Sequence, residues 1–133
     1  MPTTTTTSHE ARVAEAAATL ARAIQDSAAW TELQDARKAA AADERFARMI
    51  ARQADLAGLQ GVARERREEF DGKLLVDLIA LQDQIRSHEL YARQQESWSA
   101  VTALLQQVNE AISHELGFDF ASNAAYRRGG CCG

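Results

Sequence analysis

The sequence predicts an all-α protein, an elongated antiparallel bundle of about five helices followed by a flexible Gly/Cys tail. Three observations carry that expectation. No run of alternating β-branched residues lies between turn signals. The single proline is Pro2, so nothing beyond it is barred from helix by a missing N–H. Apolar residues recur at spacings of three and four, and the pattern breaks where capping residues fall.

Residues 1–7 read as a disordered segment, 8–120 as the helical domain and 121–133 as the tail. Thr7-Ser8-His9-Glu10 fits a capping box, and Val13, Ala17, Leu20 and Ile24 then set a helical stripe. Asp26-Ser27 breaks this helix, with Ser27 placed to cap a second one bearing Trp30, Leu33 and Arg37 on a sparse apolar face. Asp43 is a suitable cap for a third, in which Phe46, Met49, Ile50, Gln53 and Leu56 keep the period and Leu59, Val62 and Phe70 extend it. Gly58 and Gly61 each cost about 1 kcal/mol relative to alanine in a helix interior, and either a close crossing or a bend would explain them. Whether 44–70 is one helix or two is left open by the sequence. The mixed run Arg64 to Glu69 reads as a solvated face laced with i,i+4 pairs.

Asp71-Gly72 is the clearest internal turn signal, and Leu74, Leu75, Leu78, Leu81 and Ile85 follow it as a fourth helix. Ser87 is placed to cap a long fifth helix whose face runs Leu90, Tyr91, Gln94, Trp98, Val101, Leu104, Leu105, Val108, Ile112 and Leu116. Gly117 stands where a left-handed cap belongs, with Phe118 and Phe120 able to fold back on the last turn. Beyond Ala121 apolar periodicity is lost. Ile24-x-x-Ser27-x-x-Trp30 and Ile85-x-Ser87-x-x-Leu90-Tyr91 echo each other as two helix–break–helix units.

Size and composition narrow the function. A chain of 133 residues is one domain or one helical subunit. Alanine supplies much of its apolar content and buries little area, so the core is expected to be thin and self-association to help it. Fifteen Lys and Arg against 19 Asp and Glu leave a net charge of −4, which argues against a face that grips duplex nucleic acid. The N-terminus lacks the basic and apolar regions of a signal peptide, and no window approaches the ~18 apolar residues of a membrane span. A cytoplasmic location is expected, where free thiols stay reduced unless occupied.

Chemistry concentrates at the C-terminus. Gly129-Gly130-Cys131-Cys132-Gly133 holds both cysteines, and adjacent side chains on an extended glycine-rich segment cannot enter one core together. Cys131 and Cys132 are therefore the candidate metal ligands. An iron–sulfur cluster or thiolate zinc site takes about four ligands, so a site built on two would be shared between subunits. Thiol redox exchange, a vicinal disulfide and an idle tail stand as alternatives. His9, His88 and His114 are far apart and read as surface residues. Phosphate loops, nucleophile elbows and zinc-protease motifs are missing, so no catalytic residue is assigned and no enzyme is expected. Trp30, Leu33, Tyr91, Trp98 and Val101 are the candidate partner or oligomer interface, with Leu20, Ile24, Leu78, Ile85, Leu104 and Val108 completing the bundle.

These landmarks together resemble the YlbF/YmcA family of small helical bacterial regulators, also called YheA/YmcA-like. The carrying residues are Leu20-x-x-x-Ile24-x-x-Ser27-x-x-Trp30-x-x-Leu33-x-x-Ala36 and then Asp43-Glu44-x-Phe46. Ile85-x-Ser87-x-x-Leu90-x-x-Arg93 and Leu116-Gly117-Phe118-Asp119-Phe120, ahead of the cysteine tail, complete them. The resemblance covers roughly residues 9–133. It implies an elongated helical bundle that forms dimers or larger homo-oligomers. It also implies a regulatory role in competence, sporulation and biofilm formation, in a hetero-complex with related family members or a PSP1-domain partner. That complex is associated with iron–sulfur clusters and with RNA processing by a membrane-bound endoribonuclease. The chain departs from the pattern at its tail, where the cysteines are adjacent rather than spaced. The expectation is a non-enzymatic regulator or adaptor, with a thiol-redox protein and a purely structural helical module as the other readings.

Overall fold

The computed structural model describes the backbone of residues 4–124 and the side chains of residues 8–124. Over that span the chain is six helices with no strand: α1 (Thr4–Gln25), α2 (Ala28–Ala42), α3 (Glu44–Arg66), α4 (Gly72–Arg86), α5 (Glu89–Leu116) and α6 (Phe120–Ala124). The all-α expectation holds, with one short helix added.

Most breaks are set by the side chains expected to set them. Ser27 ends the first helical run: its Oγ accepts from the Trp30 N–H at 3.2 Å and donates to the Ile24 carbonyl at 2.6 Å. Asp43 is the one non-helical residue between α2 and α3, and its Oδ1 accepts from the Phe46 N–H at 2.7 Å. Asp71 opens α4 by accepting from the N–H groups of Lys73 and Leu74. Gly117 closes α5 at φ 75°, a left-handed conformation that glycine adopts without Cβ strain.

Four expectations need correction. Helix α1 already runs through Thr7, so the predicted capping box does not set its start. Threonine costs well under 1 kcal/mol per residue against alanine, too little to stop a helix propagating from the alanine-rich segment. His88, not Ser87, caps α5: its Nδ1 accepts from the Leu90 N–H at 3.2 Å, while Ser87 Oγ turns back to the Asp83 carbonyl at 2.8 Å. The Arg64 to Glu69 run is only half helical, because Arg67 adopts a left-handed φ of 55° and stops α3. Its side chains are exposed, and none of the ion pairs among the described residues lies within it. Finally, α6 replaces the expected start of the tail; a helix of five residues is too short to display a period.

The question over residues 44–70 is answered by a single helix ending at Arg66. It passes through Gly58 and Gly61 in open space, where an added Cβ would meet nothing within 4 Å. No close crossing requires those glycines.

Packing starts from one node. Ala40 near the end of α2, Phe46 at the start of α3 and Ile85 at the end of α4 form a buried cluster, flanked by Met49, Leu81, Leu90 and Tyr91. From this node α3 and α4 run out together as a hairpin, with Leu56, Ala63 and Leu78 buried between them. In the other arm α2 and α5 run antiparallel and make the most extensive packing of the fold through Leu33, Ala36, Ser97 and Val101. At 28 residues α5 is about 42 Å long, nearly twice the 15-residue α2, so its second half outruns its partner.

The result is a thin, two-armed molecule. It exposes 10687 Å² for 14.6 kDa, where a compact monomer of that mass exposes about 6,900 Å². The excess is about twice what twelve fully extended terminal residues could add at roughly 160 Å² each.

Candidate interaction surface

The five residues singled out as an interface separate into two groups. Leu33 is 2 % exposed and Val101 1 %, so both fill the α2–α5 seam and leave nothing for a second chain to touch in this conformation. Tyr91 is half-buried against the central node, and Trp30 is half-buried in the first turn of α2. Trp98 alone of the five is an open surface, at 50 % exposure. The cause is that α5 turns Ser97, not Trp98, toward α2. Ser97 takes the buried position beside Trp98 and satisfies its hydroxyl by donating to the Arg93 carbonyl at 2.7 Å. A serine there lets the alanine-rich α2 approach closely, which a tryptophan would prevent.

Past Val101 no residue of α5 is fully buried, although Leu104, Val108 and Ile112 are half-covered. Leu105 and Leu116 are open, and Phe118 and Phe120 extend this apolar end. The fold-back expected of the two phenylalanines is partial: with Leu116 they border a recess of about 280 Å³ that also touches α6. Two side chains of α5 hold α6 in place. Asn109 Oδ1 accepts from the Ala121 N–H at 2.9 Å, and Ser113 Oγ accepts from the Phe120 N–H at 2.9 Å. Asp119 caps the short helix through the Ser122 N–H at 3.0 Å. That backbone bond is the main reason its carboxyl sits below the usual range. Asp119 ahead of an apolar residue was the available sequence signal for α6.

Helix α1 is the second open surface. Every described side chain from Ser8 to Ala23 is exposed, Val13 at 70 %, and only Ile24 is half-buried. Leu20, expected in the bundle, is therefore outside it. The helix touches the body through α2 and does not pack along α5.

One recess, at the start of α4, is bordered by two charged side chains, Lys73 and Asp77. Glu32 and Arg93 pair across α2 and α5 at 2.8 Å, and the guanidinium bond holds the Glu32 carboxyl below its ordinary value while raising Arg93. The groove at the α2–α3 elbow, about 380 Å³, has alanine and Ile50 walls with Arg37 as its one charged group. Such a lining offers no acid–base pair and no nucleophile. His9 and His114 are exposed as expected, whereas His88 is half-buried against Phe46 and serves as a cap. Among the described residues no group of three or more His, Cys, Asp or Glu could hold a metal, and no helix is long and apolar enough to cross a membrane. Cys131 and Cys132 lie outside the described residues.

A family model described as control of competence regulator ComK, YlbF/YmcA, matches residues 13–117. The match runs from the first apolar residue of the α1 stripe to the glycine that closes α5, and leaves out α6 and the cysteines. No curated protein and no solved structure matches the chain.

Proposed function

The chain belongs to the YlbF/YmcA family, a family of regulatory proteins, and from that premise we propose that it is a cytoplasmic adaptor without catalysis of its own. It works by assembling through its helices with copies of itself, related family chains or a PSP1-domain partner. The observation that carries this reading is the unpartnered apolar surface: Val13 and Leu20 on α1, and Trp98, Leu105 and Leu116 on α5, all stand open on a monomer with far more surface than its mass requires. An enzyme reading has no comparable support: the most charged recess among the described residues, at the start of α4, brings together only Lys73 and Asp77. The test is made in the native host. Deleting the gene should alter the transcript profile, and a folded Trp98→Glu/Leu105→Glu chain should reproduce that change. A deletion strain with an unchanged profile, under conditions where the chain is expressed, rejects the regulatory role.

Cys131 and Cys132 are proposed as this chain's contribution to an iron–sulfur cluster shared between subunits. Two thiolates are half the usual complement, which ties the cluster to the assembly. Chains purified without oxygen should carry iron and acid-labile sulfide, and Cys131→Ser/Cys132→Ser chains should carry neither while keeping helicity. Wild-type chains free of both rule this out. A mass shortfall of two hydrogens after alkylation would instead mark a vicinal disulfide.

A further inference from the structure

We propose that the groove at the α2–α3 elbow is a binding site for a medium-chain carboxylic acid, an alkyl chain of about eight to ten carbons ending in one carboxylate. The groove lies apart from the open surfaces of α1 and α5, and the site does not depend on assembly. It follows from how the chain turns there. Asp43 alone separates α2 from α3, so the two helices diverge from one residue and their side chains must fill the wedge between them. Those side chains are short: Ala40 closes α2, and Ala47 and Ala51 line the first turns of α3. Alanine reaches too little into the wedge, and about 380 Å³ stays open. Phe46 and Ala40 are its most deeply buried lining, 2 % and 6 % exposed, while Ile50 stands open on it at 40 %. Sites for small molecules have this size and this character, apolar with a few placed polar groups.

Two polar side chains line the groove, Arg37 from α2 and Gln94 from α5. Among the described residues Arg37 enters no ion pair, and the half-buried Gln94 amide has no hydrogen-bond partner. The backbone offers no further donor. The N–H groups of Phe46 and Ala47 go to Asp43, and the other lining residues spend theirs inside their helices. A guanidinium and a carboxamide beside apolar walls match a single anionic group joined to an apolar body. Charge selects the anion, because no carboxylate lines the groove to neutralise Arg37 first. The alanine wall selects the body. It presents no hydroxyl to orient a polar ligand, whereas an alkyl chain gains from buried area alone. An extended peptide would need main-chain N–H partners, which a helical lining keeps to itself.

Ala40 and Phe46 also belong, with Ile85, to the node where the two arms meet. A chain lying in the groove therefore braces that junction, and its binding adds to the stability of the fold by mass action.

The test adds sodium decanoate, below its micellar range, to the full chain and follows it by two-dimensional amide NMR. Signals of Ala47, Ala51 and the Gln94 side chain should shift, with a dissociation constant on the order of 0.1 mM, and the thermal midpoint should rise. Arg37→Gln should weaken decanoate at least about tenfold and leave the binding of decanol unchanged. Ala51→Leu, at an exposed position on the wall, fills the groove and should abolish binding with circular dichroism unaltered. Absence of shifts at about 2 mM decanoate overturns the site. Shifts centred on Trp98 or Leu105 place the chain on the open face of α5, and also overturn it. Equal affinity for decanoate and decanol, or an undiminished affinity in Arg37→Gln, overturns the carboxylate anchor and with it the ligand class. A peptide with a free C-terminal carboxylate that displaces decanoate at far lower concentration, when its amidated form does not, gives the groove to a chain end and overturns the fatty acid.

Discussion

His88 lays its imidazole against Phe46, ring centroids 4.7 Å apart at 42°, while its Nδ1 accepts the Leu90 N–H. One side chain thereby caps α5 and covers the aromatic residue that opens α3, joining the two arms at their common node. Replacing it separates the two roles. His88→Ala should cost about 1–2 kcal/mol in urea unfolding at fixed protein concentration, from a lost cap and a lost ring contact. His88→Asn restores a cap acceptor and should recover about half. Equal losses for both variants would show that the cap contributes nothing.

Three glycines make opposite predictions from one physical cause. Gly58 and Gly61 sit inside α3 with open space around them, so alanine at either should stabilise the fold by about 0.5–1 kcal/mol. Gly117 holds φ 75°, where a Cβ is strained, and Gly117→Ala should destabilise by about 1 kcal/mol. Thermal unfolding decides both. If Gly58→Ala or Gly61→Ala is destabilising, some packing partner of α3 absent from the monomer needs the bare backbone.

Asn109 reaches twelve residues ahead to hold the Ala121 N–H, and Ser113 holds that of Phe120. Asn109→Ala removes one of two clasps on a helix of only five residues that has little burial to keep it in place. Amide exchange over residues 118–124 should quicken roughly tenfold or more, with exchange in α2 and α3 unchanged. Unaltered exchange in α6 would mean that Asp119 and Ser113 suffice.

The pairing of Glu32 with Arg93 gives a pH dependence of definite sign. Its folded carboxyl titrates below the unfolded one, so the unfolded state binds more protons in that range and stability rises with pH there. The contribution is complete above the ordinary glutamate range and is lost as pH falls through the depressed folded value. Glu32→Gln should flatten this part of the acid limb and change neutral stability only slightly, because both side chains are about half exposed and screened. Added salt should act in the same direction. An acid limb identical in wild type and Glu32→Gln would remove the pair from the account.

Most of the fold was legible because its boundaries rest on local chemistry. Ser27, Asp43, Asp71 and Gly117 act on N–H or C=O groups within a few residues, and a sequence displays such relationships directly. What escaped depended on rotation or reach. The position of Trp98 turned on whether it or Ser97 faced α2, a difference of about 100° that a mixed apolar stripe does not specify. The clasp from Asn109 to Ala121 joins residues no periodicity connects. The exposure of α1 was hidden for a further reason: an amphipathic stripe announces that it needs a partner without saying whether that partner is in the same chain. The family landmarks, legible from Leu20 to Phe120, fall almost wholly within residues 13–117, the stretch that the family match covers, whereas the paired cysteines lie beyond it.

The last prediction sets a core aromatic against a surface one. Phe46 is 2 % exposed at the meeting point of four helices, and Phe46→Ala should cost about 3–5 kcal/mol through lost burial and the cavity left behind. Such a loss is a large share of the stability of any small domain, and larger here because an alanine-rich core has little in reserve. Trp98 has the greater area but stands half open, so Trp98→Ala should cost the isolated chain under about 1 kcal/mol. The contrast narrows as concentration rises. If Trp98 joins an interface, its substitution becomes more destabilising as protein concentration rises through the assembly range, since assembly adds to apparent stability by mass action. Phe46→Ala lowers stability at every concentration. Unfolding midpoints for both variants over a hundredfold range of protein concentration make the comparison, and a concentration-independent loss for Trp98→Ala would assign the tryptophan to the monomer alone.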